Sequence, residues 1–117
     1  MVIQQGDVFW IDLGEPKGRG LAHRHPHVVV QGNVYNQSKI GTAVVCGLTS
    51  KLHRADYPGN VLLKKGEANL SKDSVVNVSQ LYTVDKNVLY DKLGTLGASR
   101  VEEIVRGIQT LLDVAIE

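Results

Sequence analysis

The stretch "AHRHPHVVV" (22–30) gathers the side chains best suited to acid–base and phosphate chemistry. His23, His25 and His27 occupy every second position, and Arg24 stands between the first two. Imidazole titrates near neutral pH and is the commonest general acid or base. A guanidinium keeps its charge and presents a donor fork that matches phosphate. An Arg-His pair in a glycine-rich loop, opening a rigid strand, suits phosphoryl transfer. Two other readings compete. Alternate imidazoles on an extended chain point one way and could contribute to a zinc or copper site. Against that, Pro26 separates the last two, side chains on one strand diverge, and the segment holds no carboxylate to complete the coordination. His23 and His27 could also be ordinary solvated residues of a loop and a strand end.

The elements that must position these groups read mostly as short strands. "GDVFWIDL" (6–13) is rich in β-branched and aromatic residues and runs into a Gly-Glu-Pro turn. Residues 14–24 hold three glycines and a proline and read as a loop. "HVVVQGNVY" (27–35) and "GTAVVCGLT" (41–49) read as apolar strands, with a turn between them. Residues 51–60 form a second loop, and 60–64, 74–84 and 91–96 read as further strands, with a single helical turn at 86–89. Val101, Ile104, Val105, Ile108, Leu111, Leu112 and Ala115 then follow helical spacing. Ser99 and Glu102 have the spacing of a capping box, which starts this helix near Arg100. The expected fold is mainly β with a C-terminal α-helix: one small antiparallel β-barrel or half-barrel domain spanning 1–117. Phe9 and Trp10 share a strand, so one of them must face the core.

The chain carries a net charge of +1, but the charge is segregated. Pro16 to Ala55 contains no Asp or Glu, yet holds Lys17, Arg19, Arg24, Lys39, Lys51, Arg54 and all four histidines. A face that binds a polyanion has this pattern. The single cysteine, Cys46, lies in an apolar run and reads as a buried, inert thiol; it excludes internal disulfides and multi-cysteine zinc sites. No apolar run is long enough to span a membrane, and the N-terminus lacks the pattern of a signal peptide, so a cytoplasmic protein is expected.

Several segments, in order, resemble the MazF/PemK family of type II toxin endoribonucleases: "GDVFWIDLGEPKG", "RHPHVVVQGN", "VVCGLTS", "SVVNVSQLYTVDKNVL" and "KLGTL" before the helix. The resemblance covers nearly the whole chain. It implies an SH3-like (CcdB/PemK-type) barrel that forms a homodimer. It also implies sequence-specific cleavage of single-stranded RNA without metal or other cofactor, and neutralisation by a MazE-like antitoxin. The family usually places an arginine directly before the strand proline; this chain has His25 there, with Arg24 one step earlier. The resemblance therefore implies a catalytic set of Arg24, His25 and Thr49, with Ser50 beside the last. In the fourth segment Ser79 stands where some members carry a carboxylate, and Asn77 where some carry an arginine. The loop reads "GRGLA" where Gly-Ser-Glu is common, which makes it more basic.

On this reading RNA supplies its own nucleophile, the 2′-OH. Arg24 stabilises charge on the phosphorus, His25 transfers protons and Thr49 orients a non-bridging oxygen. Lys17 and Arg19 hold phosphates, while Asn36, Asn77, Ser79 and Gln80 read base edges. His27 or His23 is a candidate for the second proton transfer, and Trp10 could stack on a base. Other readings are a CcdB-like toxin that binds DNA gyrase, a metal-binding β-domain, and a family member that binds RNA but no longer cleaves it.

Overall fold

A computed structural model describes residues 2–12 and 24–114. Six strands alternate with short helices: β1 (Asp7–Asp12), β2 (Arg24–Val29), α1 (Asn33–Asn36), β3 (Thr42–Thr49), β4 (Val61–Leu63), β5 (Ser74–Asp85), β6 (Asp91–Thr95) and α2 (Ala98–Leu111). Single 3₁₀ turns occupy Leu52–Asp56, Glu67–Asn69 and Lys86–Val88. The strands form one antiparallel sheet in the order β4-β5-β3-β2-β1-β6.

The sheet curls into an open half-barrel, and Gly47 marks where it bends. Cys46 pairs with Leu81 but Leu48 pairs with Val76, so Gly47 alone faces Asn77 to Gln80 of β5. An excess of residues on one strand bends and twists it. Two apolar clusters lie on the two faces. Val8, Val28, Cys46, Leu48, Val76 and Leu96 pack with Ile104 of α2 on one. Phe9, Ile11, Val29, Val45 and Leu89 fill the other.

Several boundaries differ from the sequence expectation. β2 begins at Arg24, inside the expected loop, and ends at Val29 rather than continuing to 35. The chain turns there because the Asn36 amide donates to the Gln31 carbonyl (2.8 Å) and the Gln31 amide donates to Asn36 Oδ1 (3.0 Å). Local side-chain bonds of this kind compete with a strand ladder. The expected capping box does not form. Gly97 is the N-cap, no side chain caps the helix, and Ser99 already lies inside it. Ile104 of the apolar stripe is buried and Val101, Val105 and Ile108 are half-buried, but Leu111 and Leu112 are exposed and Ala115 lies outside the described residues. Among the described residues no helix is long and apolar enough to cross a membrane.

Candidate functional site

The first two strands create the site. β1 and β2 pair so that Val8 faces Val28, Phe9 faces His27, Trp10 faces Pro26 and Ile11 faces His25. Cross-strand partners share a face, and successive residues alternate. Arg24 and Pro26 therefore belong to the face of Trp10 and Val8. His25 and His27 belong to the face of Phe9 and Ile11. The sequence expectation that Phe9 or Trp10 must be core is met by Phe9, which is fully buried; Trp10 is only half-buried.

A cleft of about 260 Å³ opens beside Trp10. Arg24, His25 and Pro26 of β2 line one side, and Thr49 and Ser50 at the end of β3 line another. Ser71, Lys72 and Ser74, leading into β5, also line it. Its floor is apolar, from Leu48, Leu70 and Leu93. Thr49 accepts the backbone N–H of Lys51 on its hydroxyl (3.2 Å), which leaves the hydroxyl proton available to a ligand.

Arg24 is engaged twice at the cleft's rim. Its guanidinium lies 5.5 Å from the centre of the Trp10 ring and donates to the Asp91 carboxylate at the start of β6. Lys72, on the opposite side in sequence, is exposed. Two elements distant in sequence thus bring cations to one polar, partly apolar cleft.

The other predicted residues are distributed differently. His27 is buried beside the cleft rather than in it. Its Nδ1 lies 2.9 Å from the His25 carbonyl, and its ring meets Tyr82 edge-on at 5.8 Å between centroids. Burial, above all, pushes its pKa below the ordinary value; the His25 carbonyl opposes that shift and the neighbouring imidazole adds to it. Gln80 closes over Gly47 near His27: a Cβ at Gly47 would fall 3.1 Å from Gln80 Oε1 and 3.7 Å from His27 Nε2. Asn77 is buried, and its Oδ1 accepts from the Ser79 hydroxyl (3.0 Å) and the Asn60 amide (3.4 Å). Asn36 sits beyond the far end of β2, with its amide engaged inside the turn. Lys17, Arg19 and His23 lie outside the described residues.

Sequence reasoning did not single out Lys72, Ser71, Ser74 or Asp91. Their neighbours in sequence, "LSKDS" and "YDK", carry no motif. Only the pairing of β5 with β3 and of β6 with β1 places them here.

The comparisons decide the family. Residues 4–112 match the model of the PemK-like, MazF-like toxin of type II toxin-antitoxin systems. The chain belongs to that family. Endoribonuclease MazF2 of Mycobacterium bovis is 40% identical over 114 residues, covering 97% of this chain and all of the relative. Endoribonuclease MazF of Staphylococcus saprophyticus is 31% identical, covering 95% of this chain and 92% of its own. The fold agrees with a mycobacterial endoribonuclease solved in complex with its cognate antitoxin (TM-score 0.78, 23% identity, 98% of this chain and 99% of that one). It agrees equally with a MazE–MazF structure from Deinococcus radiodurans (TM-score 0.75, 22% identity, 98% and 100%). The half-barrel with a closing helix is therefore the MazF-type fold, as the sequence resemblance implied.

Proposed function

We propose that this MazF-family toxin is a sequence-specific endoribonuclease that cuts single-stranded RNA without a metal and acts from the cytoplasm. The observation that carries the reading is the convergence of Arg24, His25, Thr49 and Ser50, from the ends of two strands, on one cleft beside Trp10.

The chemistry needs little from the protein because the substrate brings the nucleophile. Attack of the 2′-oxygen on the adjacent phosphorus builds charge on the non-bridging oxygens. Arg24 would meet that charge with a permanent cation, and the Thr49 hydroxyl would donate to one oxygen. His25 would move a proton, either from the 2′-OH or to the departing 5′-oxygen. The products would be a 2′,3′-cyclic phosphate and a 5′-hydroxyl. His27, with Nδ1 engaged by His25 and its ring buried, is assigned to holding the start of β2. Lys72 would guide the backbone, and Lys17 and Arg19 would do the same from the first loop. Gln80 and Ser79, both exposed on β5, are candidates for base edges.

The family's type II organisation and the antitoxin complexes of its structural neighbours support a cognate antitoxin as partner for this chain; a homodimer as its working form is what the sequence resemblance implies. The direct test is cleavage of a long mixed-sequence RNA by purified protein with EDTA present, followed by chemical typing of both new ends. Cuts at a short recurrent motif with cyclic phosphate and 5′-hydroxyl ends are the expected result. A folded protein that cuts no RNA would overturn the reading and favour a non-enzymatic toxin of the gyrase-binding kind.

A further inference from the structure

Trp10 sits between two neighbours in the sheet. On one side it pairs with Pro26 of β2, and on the other with Asp91 of β6. Arg24, two residues before Pro26, shares the face of both. Its side chain crosses β1 diagonally, passes over the indole and ends on the Asp91 carboxylate. A cation that lines the proposed RNA site is thus neutralised in the RNA-free protein by an acid 67 residues away in the chain.

We propose that Asp91 is a positioning residue for RNA binding: it holds the Arg24 guanidinium over Trp10 as a counter-charge and surrenders it to an incoming phosphate. The inference rests on the reading of the cleft as an RNA site. The exchange is favoured by exposure. The Arg24 and Asp91 side chains are 47% and 45% accessible, and an ion pair this open is weak and easily replaced. A phosphate presents two oxygens to the guanidinium fork, more than matching what it displaces. The indole provides a surface on which the guanidinium stays oriented during the exchange.

The exchange has a thermodynamic signature. When Arg24 neutralises a phosphate, the RNA sheds part of a condensed cation, but the freed Asp91 takes one up. The two nearly cancel, so this contact adds little salt dependence. With Asp91→Asn nothing is taken up, and the contact contributes a full single-strand increment of about 0.7 to the slope of log K against log salt.

The test uses the full chain, a fully 2′-O-methylated single-stranded RNA of random sequence as an uncleavable probe, and anisotropy over a series of salt concentrations. Asp91→Asn is expected to bind about 5-fold tighter at low salt with the steeper slope. Asp91→Glu should restore wild-type behaviour, and on an Arg24→Ala background Asp91→Asn should change nothing. An equal gain with Arg24 absent would show a diffuse charge effect and overturn the proposal, as would an Asp91→Asn variant that binds no better than wild type. Trp10, the only tryptophan, gives a readout that needs no RNA. Asp91→Asn should shift its emission in the free protein, and unchanged emission would also overturn the proposal. Failure of the RNA reading looks different: wild type and Arg24→Ala would bind the probe equally poorly, while the emission shift persisted.

Discussion

The Nδ1 of His27 lies 2.9 Å from the backbone carbonyl of His25. A carbonyl only accepts, so Nδ1 carries the proton and the neutral ring leaves Nε2 as an acceptor on the side of Gly47. A buried residue thereby fixes the backbone of its exposed neighbour across Pro26.

The burial of His27 makes stability pH-dependent in a defined window. Burial lowers the His27 pKa below 6.5 in the folded chain. As pH falls through 6.5 the unfolded chain takes up a proton that the folded chain still refuses, so the unfolded state gains. Stability is therefore full above 6.5, declines as pH drops from there toward the folded value, and levels off below it. Thermal melts across this range should show a falling midpoint, and His27→Phe should remove His27's share of that fall. A variant that keeps the whole slope would place its origin in another group.

Arg24 and His25 separate by role. Removing general acid–base help lowers the chemical step by about 10²-fold or more, and His25→Ala should do so with KM little changed. Arg24→Ala removes charge that both binds and stabilises, so it should lower kcat and raise KM together. Single-turnover cleavage separates the two effects. Activity that survives His25→Ala but not Arg24→Ala would make the guanidinium the principal group and His25 secondary.

Trp10 is a wall of the cleft and the support for Arg24. Trp10→Ala should weaken binding of the uncleavable RNA by roughly 5- to 100-fold, the scale of one lost base stack. Trp10→Phe should recover much of it, since an aromatic face remains. Unchanged affinity for Trp10→Ala would remove stacking from the account.

Gly107 of α2 lies against Gly59, where a Cβ would fall 2.1 Å from the Gly59 carbonyl oxygen. Gly107→Ala must push the helix off the turn before β4. A loss of about 1–3 kcal/mol in urea unfolding is expected, with cleavage per folded molecule nearly unchanged because the cleft lies elsewhere.

Cys46 is fully buried, and burial pushes its thiol up to about 12. Its Sγ–H donates to the Asn77 carbonyl at 3.0 Å. Native protein should resist a thiolate-directed alkylating reagent at neutral pH, while denatured protein labels at once. Mass spectrometry after a timed pulse checks this; rapid native labelling would show that the bend at Gly47 opens.

The sequence by itself determined the periods and the composition. Alternation and β-branching marked β1, β3 and β5, and the 3–4 spacing of Val101 to Ile108 marked α2, because burying one face imposes a repeat that survives in a single chain. It also determined that Arg24, His25 and Thr49 carry the right chemistry, since residue type sets charge and pKa. The end of β2 was not legible, because the Gln31–Asn36 bonds that stop it look like any polar pair. Nor was the start of α2, where Ser99 and Glu102 had the spacing of a cap but Gly97 took the position. Tertiary structure alone decided which residues share the cleft. Arg24 and His25 both line it although they alternate along β2, Asn36 is carried away by the turn, Lys72 arrives from the segment before β5, and Asp91 of β6 meets Arg24 at the rim. That outcome depends on strand order and register, which join residues far apart in the chain and leave no periodic trace along it.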